Sequence, residues 1–191
     1  MEKIYKSMTG ISITTFAERI VEQAKDSKLI LEKKDFAEFF KLLSAKYISL
    51  EKIRQRITKV SEGTRLQILA QIQIGYKQGL GVSAIASNIS AILPSISQTR
   101  GALIARTETH GAANYGADGA ARSTGVDVRK EWVSAEDERT REAHRVADGQ
   151  IVEMDAPFTV GGEQLMFAGD PNGSGGNIIN CRCAISHILK E

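Results

Sequence analysis

Two cysteines, Cys181 and Cys183, flank Arg182 in the segment Asn180-Cys181-Arg182-Cys183. If that segment is a strand, both thiols face one way and Arg182 the other, because side chains alternate. Two thiolates on one face are half of a zinc site. A disulfide between residues two apart closes a small, strained ring, which a reducing cytoplasm disfavours further. His144 is the candidate third ligand. Asp137 lies seven residues before it, or ~10 Å along a helix axis, whereas ligands of one metal stand ~3–4 Å apart. Asp137 therefore reads as a helix-start residue, capped with Ser134 and paired with Arg141. Asp148 is better spaced but belongs to a turn. The set His144, Cys181 and Cys183 is one ligand short of a tetrahedral zinc site. The other reading is that these residues pack as small buried side chains that hydrogen-bond locally, with no cofactor.

Arg106, Glu108 and His110 do not form a catalytic set. On a helix Arg106 and His110 share a face while Glu108 points away, so Arg106 and Glu108 are expected to tie their helix to neighbouring structure. Trp132 reads as a core anchor and His187 as a surface strand residue. The loop 169–176 is glycine-rich but lacks the Lys-Ser/Thr pair of a phosphate-binding loop, which excludes that class of nucleotide site. No complete catalytic set is present.

The elements that must position these residues follow from periodicity. Phe36, Phe39, Phe40, Leu43, Tyr47, Leu50, Ile53, Ile57 and Val60 recur at three- and four-residue steps, predicting one helix over 35–61 whose apolar stripe faces the core or seats another chain. A second helix is predicted from Thr64 to Lys77, ended by Gly79-Leu80-Gly81. Ser83 then caps a short helix carrying Ile85, Ile89 and Ile92, which Pro94 ends. Ser95 caps a helix over 96–122 dense in glycine and alanine, which needs tertiary contacts because glycine disfavours helix. Beyond Gly125 the pattern turns to strands: 126–133, 150–154, a hairpin over 158–167 with a Gly161-Gly162 turn, and 181–189. A short helix running to about Val146 is predicted to open at Ser134, with a turn at Asp148-Gly149. The fold class is α+β, a mainly helical part followed by a small α+β module.

Composition fits an ordinary soluble chain, and no apolar run is long enough to span a bilayer. The first residues lack the apolar core of a secretory signal, so synthesis in a reducing cytoplasm is expected. Residues 1–100 carry 16 Lys/Arg against 9 Asp/Glu, and residues 101–191 carry 9 against 14. A basic half attracts nucleic acid or an acidic partner, although its lysines alternate with glutamates as on a solvated helix face.

Three pieces, taken together, carry a resemblance: Ala105-Arg106-Thr107-Glu108-Thr109, the run from Trp132 to His144 followed by Asp148-Gly149, and Asn180-Cys181-Arg182-Cys183. In this order and spacing the chain, over about residues 60–190, resembles the phage Mu F-like minor head protein family, also called the phage head morphogenesis family. The resemblance implies a non-enzymatic, few-copy virion protein at the portal or head interior. Its implied partners are portal, capsid or scaffold protein, and phage DNA through the basic half, with no membrane. It marks Arg106, Glu108, Trp132, Asp137, Thr140, Gly149, Asn180 and Arg182 as a structural motif. It divides the chain into an N-terminal helical region, 1–62, and a head-morphogenesis-like domain, 63–191, comprising helices (63–124) and the α+β module (125–191). Relatives place a Cys-x-x-Cys pair where this chain has Arg141 and His144. The competing reading is a zinc-dependent hydrolase or toxin-associated nuclease, with Asp137 or Glu142 as base.

Overall fold

Tyr47 is the first residue of the predicted stripe that the computed structural model places in the core. The structure describes residues 61–190 except Ser95, together with 50–57, Leu42, Lys46 and Tyr47. Phe36, Phe39, Phe40, Leu43 and Val60 lie outside them. The predicted seven-turn helix is interrupted: Leu50 has ψ 137°, and a separate helix, α1, spans Glu51–Arg56. The break turns the stripe, so that Tyr47, Ile53 and Ile57 are all buried against the later helices.

Ser61 opens α2 (Glu62–Gln78), its Oγ accepting from the Thr64 N–H at 3.2 Å. Gly79, at φ 69°, closes it with a left-handed turn in which Leu80 N–H bonds back to Gly75 O. Helix α3 (Val82–Ile92) starts without the expected Ser83 cap; Gly81 is its N-cap. Ile85 and Ile89 are buried, but Ile92, expected on the same face, is 48% exposed. Ser97 caps α4 (Gln98–Ser123) through the Arg100 N–H. Glycine and alanine fill much of the buried face of α4, and they let it sit between the other helices and the sheet.

The second half forms strands β1 (Val128–Val133), β2 (Ile151–Glu153), β3 (Phe158–Val160), β4 (Glu163–Leu165) and β5 (Ala184–Leu189). One antiparallel sheet has the order β2-β1-β5, and β3 and β4 pair as a separate hairpin. Register sets Trp132 opposite Ile185 and Lys130 opposite His187. Two short helices, α5 (Glu142–Val146) and α6 (Gly175–Ile178), lie between strands. The fold is α+β: helices followed by a small sheet module. The helix predicted from Ser134 begins only at Glu142, after a turn that Asp137 and Thr140 close. Among the described residues no helix is long and apolar enough to cross a membrane.

Candidate functional site

A turn, a short helix and a loop converge on the two cysteines. In the turn, Asp137 and Thr140 bond reciprocally. Thr140 Oγ1 donates to Asp137 Oδ1 at 3.1 Å and accepts from the Asp137 N–H at 3.1 Å. The Asp137 carboxylate also takes Arg182 Nη2 at 2.5 Å, across 45 residues. Partial burial would raise this carboxyl, but Thr140, Arg182 and Arg139 outweigh it and hold it below the usual range. Arg141 Nη2 donates to Ile179 O at 2.6 Å. These two arginine bonds, reaching in opposite directions, press α5 against residues 179–183. The expected partners were different. Ser134 caps nothing, because no helix starts there; its buried Oγ lacks a partner. Arg141 bonds a carbonyl rather than Asp137.

That docking brings His144 to the thiols. Its Nδ1 lies 3.2 Å from Cys183 Sγ and 3.7 Å from Cys181 Sγ. All three residues are buried, and their ligand atoms lie within 4.8 Å of one another. Strand β5 begins only at Ala184, yet the alternation expected of a strand already holds at 181–183, with both thiols inward and Arg182 turned to Asp137. The two thiols are coupled. A bond from the Cys183 thiol lowers the Cys181 pKa, helped by Arg141 and Arg182. The same bond, with burial, pushes the Cys183 thiol up. The Trp132 ring meets the His144 ring edge-to-face at 5.7 Å and Phe158 at 5.4 Å, so Trp132 is the core anchor that backs the cluster. Neither Asp137 nor Asp148 joins it. Asp148 Oδ1 instead accepts the Ser134 N–H at 2.5 Å, and Gly149, at φ 71°, donates its N–H to Trp132 O.

Helix α4 is fastened to the same loop. Arg106 Nη1 donates to Asn180 Oδ1 at 3.1 Å, and the Asn180 N–H donates to Thr107 Oγ1 at 3.2 Å. Asn180 itself has φ 56°, a left-handed conformation that asparagine tolerates better than most residues. Glu108 is buried. Asn114, not singled out in the sequence, accepts the Ile185 N–H at 3.1 Å and donates to Cys183 O at 3.4 Å. A single asparagine on a face of glycine and alanine was the available signal. His110 has its pKa lowered to about 4, chiefly by burial.

Other groups were also missed or misread. His187 was expected at the surface, but Nε2 is buried and the pKa falls to about 4, again through burial. Its opposite number, Lys130, is fully buried, with Nζ donating to Met166 O at 2.8 Å and 5.3 Å from the Phe158 ring. Asp170 lies in the glycine-rich loop 169–176. It is 1% exposed and accepts the N–H groups of Met166 and Asn172.

Residues 66–186 match the family described as Phage Mu protein F like protein. The chain belongs to this family. The matched span holds the α4 motif, the Trp132–Gly149 segment and the Asn180–Cys183 segment. This Mu F-like chain is 30% identical over 144 residues to the Minor head protein GP7 of Bacillus phage SPP1, covering 70% of this chain and 45% of the relative. It is 25% identical over 146 residues to the NAD(+)--arginine ADP-ribosyltransferase EFV of Enterococcus faecalis, covering 73% of this chain and 29% of that protein. The chain thus spans less than half the length of the curated relatives it matches. No solved structure matches it.

Proposed function

We propose that this Mu F-like chain is a structural minor head protein of a phage or prophage. It acts in head morphogenesis at the portal vertex or on the inner face of the head. The observation that carries the reading is the family match over residues 66–186 with its likeness to a minor head protein. The bonding of the motif residues supports it. Arg106 meets Asn180 and Asp137 meets Arg182, so these groups are spent on holding segments together rather than on presenting a reactive group to a cleft. The partners proposed are portal, capsid or scaffold protein. The basic half, with its 16 Lys/Arg against 9 Asp/Glu, adds contact with packaged DNA. Such contact should weaken steeply with salt.

The direct test is quantitative mass spectrometry of particles purified from induced host cells. The expected result is this chain at a few to tens of copies per head, well below the major capsid protein. Absence from mature heads and procapsids alike, with the chain present in the lysate, overturns the reading. Filter binding to double-stranded DNA across a salt series tests the DNA contact, and no binding at low salt removes it.

A further inference from the structure

We propose that His144 Nδ1 and the thiolates of Cys181 and Cys183 hold a zinc ion, with water as the fourth ligand. The inference rests on the geometry of this cluster, not on the role in the phage head. With zinc–nitrogen and zinc–sulfur bonds of ordinary length, ligands of a tetrahedral ion stand about 3.6 Å apart for N to S and about 3.8 Å for S to S. The observed N···S separations are 3.2 and 3.7 Å, and no pair in the cluster exceeds 4.8 Å. One imidazole nitrogen therefore faces both sulfurs at once. A single N–H···S or S–H···N bond engages only one of them. A cation seated between the three atoms engages all.

The supporting frame is built for the same end. Arg182 is held out to Asp137, which leaves the two flanking thiols inward. Arg141 fixes α5 to Ile179, two residues before Cys181. Trp132, wholly buried, packs edge-to-face against the His144 ring. Thiolate and imidazole donors suit zinc rather than magnesium or calcium, which take oxygen. Among the described residues no fourth His, Cys, Asp or Glu joins the group, so a small exchangeable ligand completes the tetrahedron. Binding forms two zinc–sulfur bonds and one zinc–nitrogen bond. The thiol protons leave to solvent, so affinity should rise with pH.

The test uses the full chain, expressed with added zinc and purified under reductant without a chelator or a histidine tag. Elemental analysis after gel filtration should find about one zinc per chain. Cys181→Ser, Cys183→Ser and His144→Ala should each hold less than about a tenth of that. Because these variants can fail to fold, the wild-type chain is also stripped with chelator and titrated with cobalt(II). The expected spectrum has visible bands of a tetrahedral ion and a near-ultraviolet thiolate-to-cobalt band. Readdition of zinc should restore the melting temperature lost on stripping. Zinc below about a tenth of an equivalent together with featureless cobalt spectra overturns the proposal. Undiminished zinc in a folded Cys183→Ser chain overturns it equally, as does a Cys181–Cys183 disulfide that persists in the chain freshly purified under reductant.

Discussion

Replacing Gly111 by alanine should destabilise the protein, although alanine is the better helix former. Gly111 lies in α4, where the exchange alone would gain about 1 kcal/mol. The structure opposes that gain. A Cβ at this position would stand 2.0 Å from Tyr47 Oη, 2.7 Å from Tyr47 Cζ and 3.0 Å from Gly169 O. Tyr47 is fully buried, packs against Tyr115 and Phe167, and donates its hydroxyl to Gly169 O at 2.8 Å. Its ring must retreat to reach ordinary contact, which breaks that bond at a cost of about 1 kcal/mol. Forcing the packed ring aside costs about 1–3 kcal/mol more. The net is a loss of about 1–3 kcal/mol, or roughly 2–4 °C of melting temperature for each kcal/mol in a chain of this size. Urea unfolding followed by circular dichroism reads the difference at constant slope. Gly63→Ala is the control, since a Cβ there meets nothing within 4 Å; it should be neutral or stabilising by up to about 1 kcal/mol. In a Tyr47→Phe background the nearest clash is gone, so Gly111→Ala should cost about 1 kcal/mol less than in the wild type. A Gly111→Ala chain as stable as the wild type, or an equal cost in both backgrounds, refutes the close approach of Tyr47, α4 and the Gly169 loop.

Asn114→Ala leaves the buried Ile185 N–H without its acceptor, a loss of about 2–3 kcal/mol in urea unfolding, with faster hydrogen exchange at the Ile185 amide. At Asn180, whose φ is 56°, glycine should cost about 1 kcal/mol less than alanine, while both lose the Arg106 bond; thermal melts of the two variants compare them directly. His187 has a pKa lowered from 6.5 to about 4 by burial, with Asp118, Lys130 and Arg122 facing it. The unfolded chain therefore takes up a proton that the fold refuses. The contribution of His187 is whole above pH 6.5 and is lost as pH falls toward 4, by about 1–2 kcal/mol at pH 5. His187→Gln should flatten that part of a stability–pH curve. Lys130, wholly buried beside Phe158 and Met166, should accept methionine within about 1.5 kcal/mol, whereas Lys130→Ala costs about 2–5 kcal/mol through the cavity.

What sequence made legible was local. Gly79 and Gly125 mark helix ends because a left-handed φ is needed within a few residues of the end, and the Gly161-Gly162 turn marks its hairpin for the same reason; the Ser61 cap, three residues before the expected start at Thr64, was not read. The alternation of Cys181, Arg182 and Cys183 followed from strand geometry before the strand had formally begun. What escaped was set by partners far along the chain. Asp137 was assigned to the nearest serine and arginine, but its closest cation is Arg182, 45 residues on. The helix expected over 35–61 breaks at Leu50, where an unbroken apolar period gives no warning. His187 and Lys130 face each other across β1 and β5, and their burial depends on what covers that pair, which no periodicity states. His144 was a candidate ligand by residue type, but its distance from the thiols follows from two arginine bonds that no spacing rule contains.

The sheet order β2-β1-β5 has a consequence for the chain as it leaves the ribosome. The strand β2 follows β1 closely, but β5 begins at Ala184, roughly fifty residues after β1 ends. At ordinary rates of synthesis that interval lasts about 3–10 s. From the completion of β2 at Glu153 until β5 follows, β1 and β2 are a ribbon of two strands, marginal in water by itself. The outer edge of β1 offers its backbone groups to any strand that passes. The Asn114 side chain has no strand to receive it, and His144 waits for sulfurs not yet made. A nascent chain paused short of Ala184 is thus the form in which this module is most exposed to chaperones and to wrong pairing. Emergence of residues 180–189 closes the edge, the helix fastening and the thiol cluster in one event.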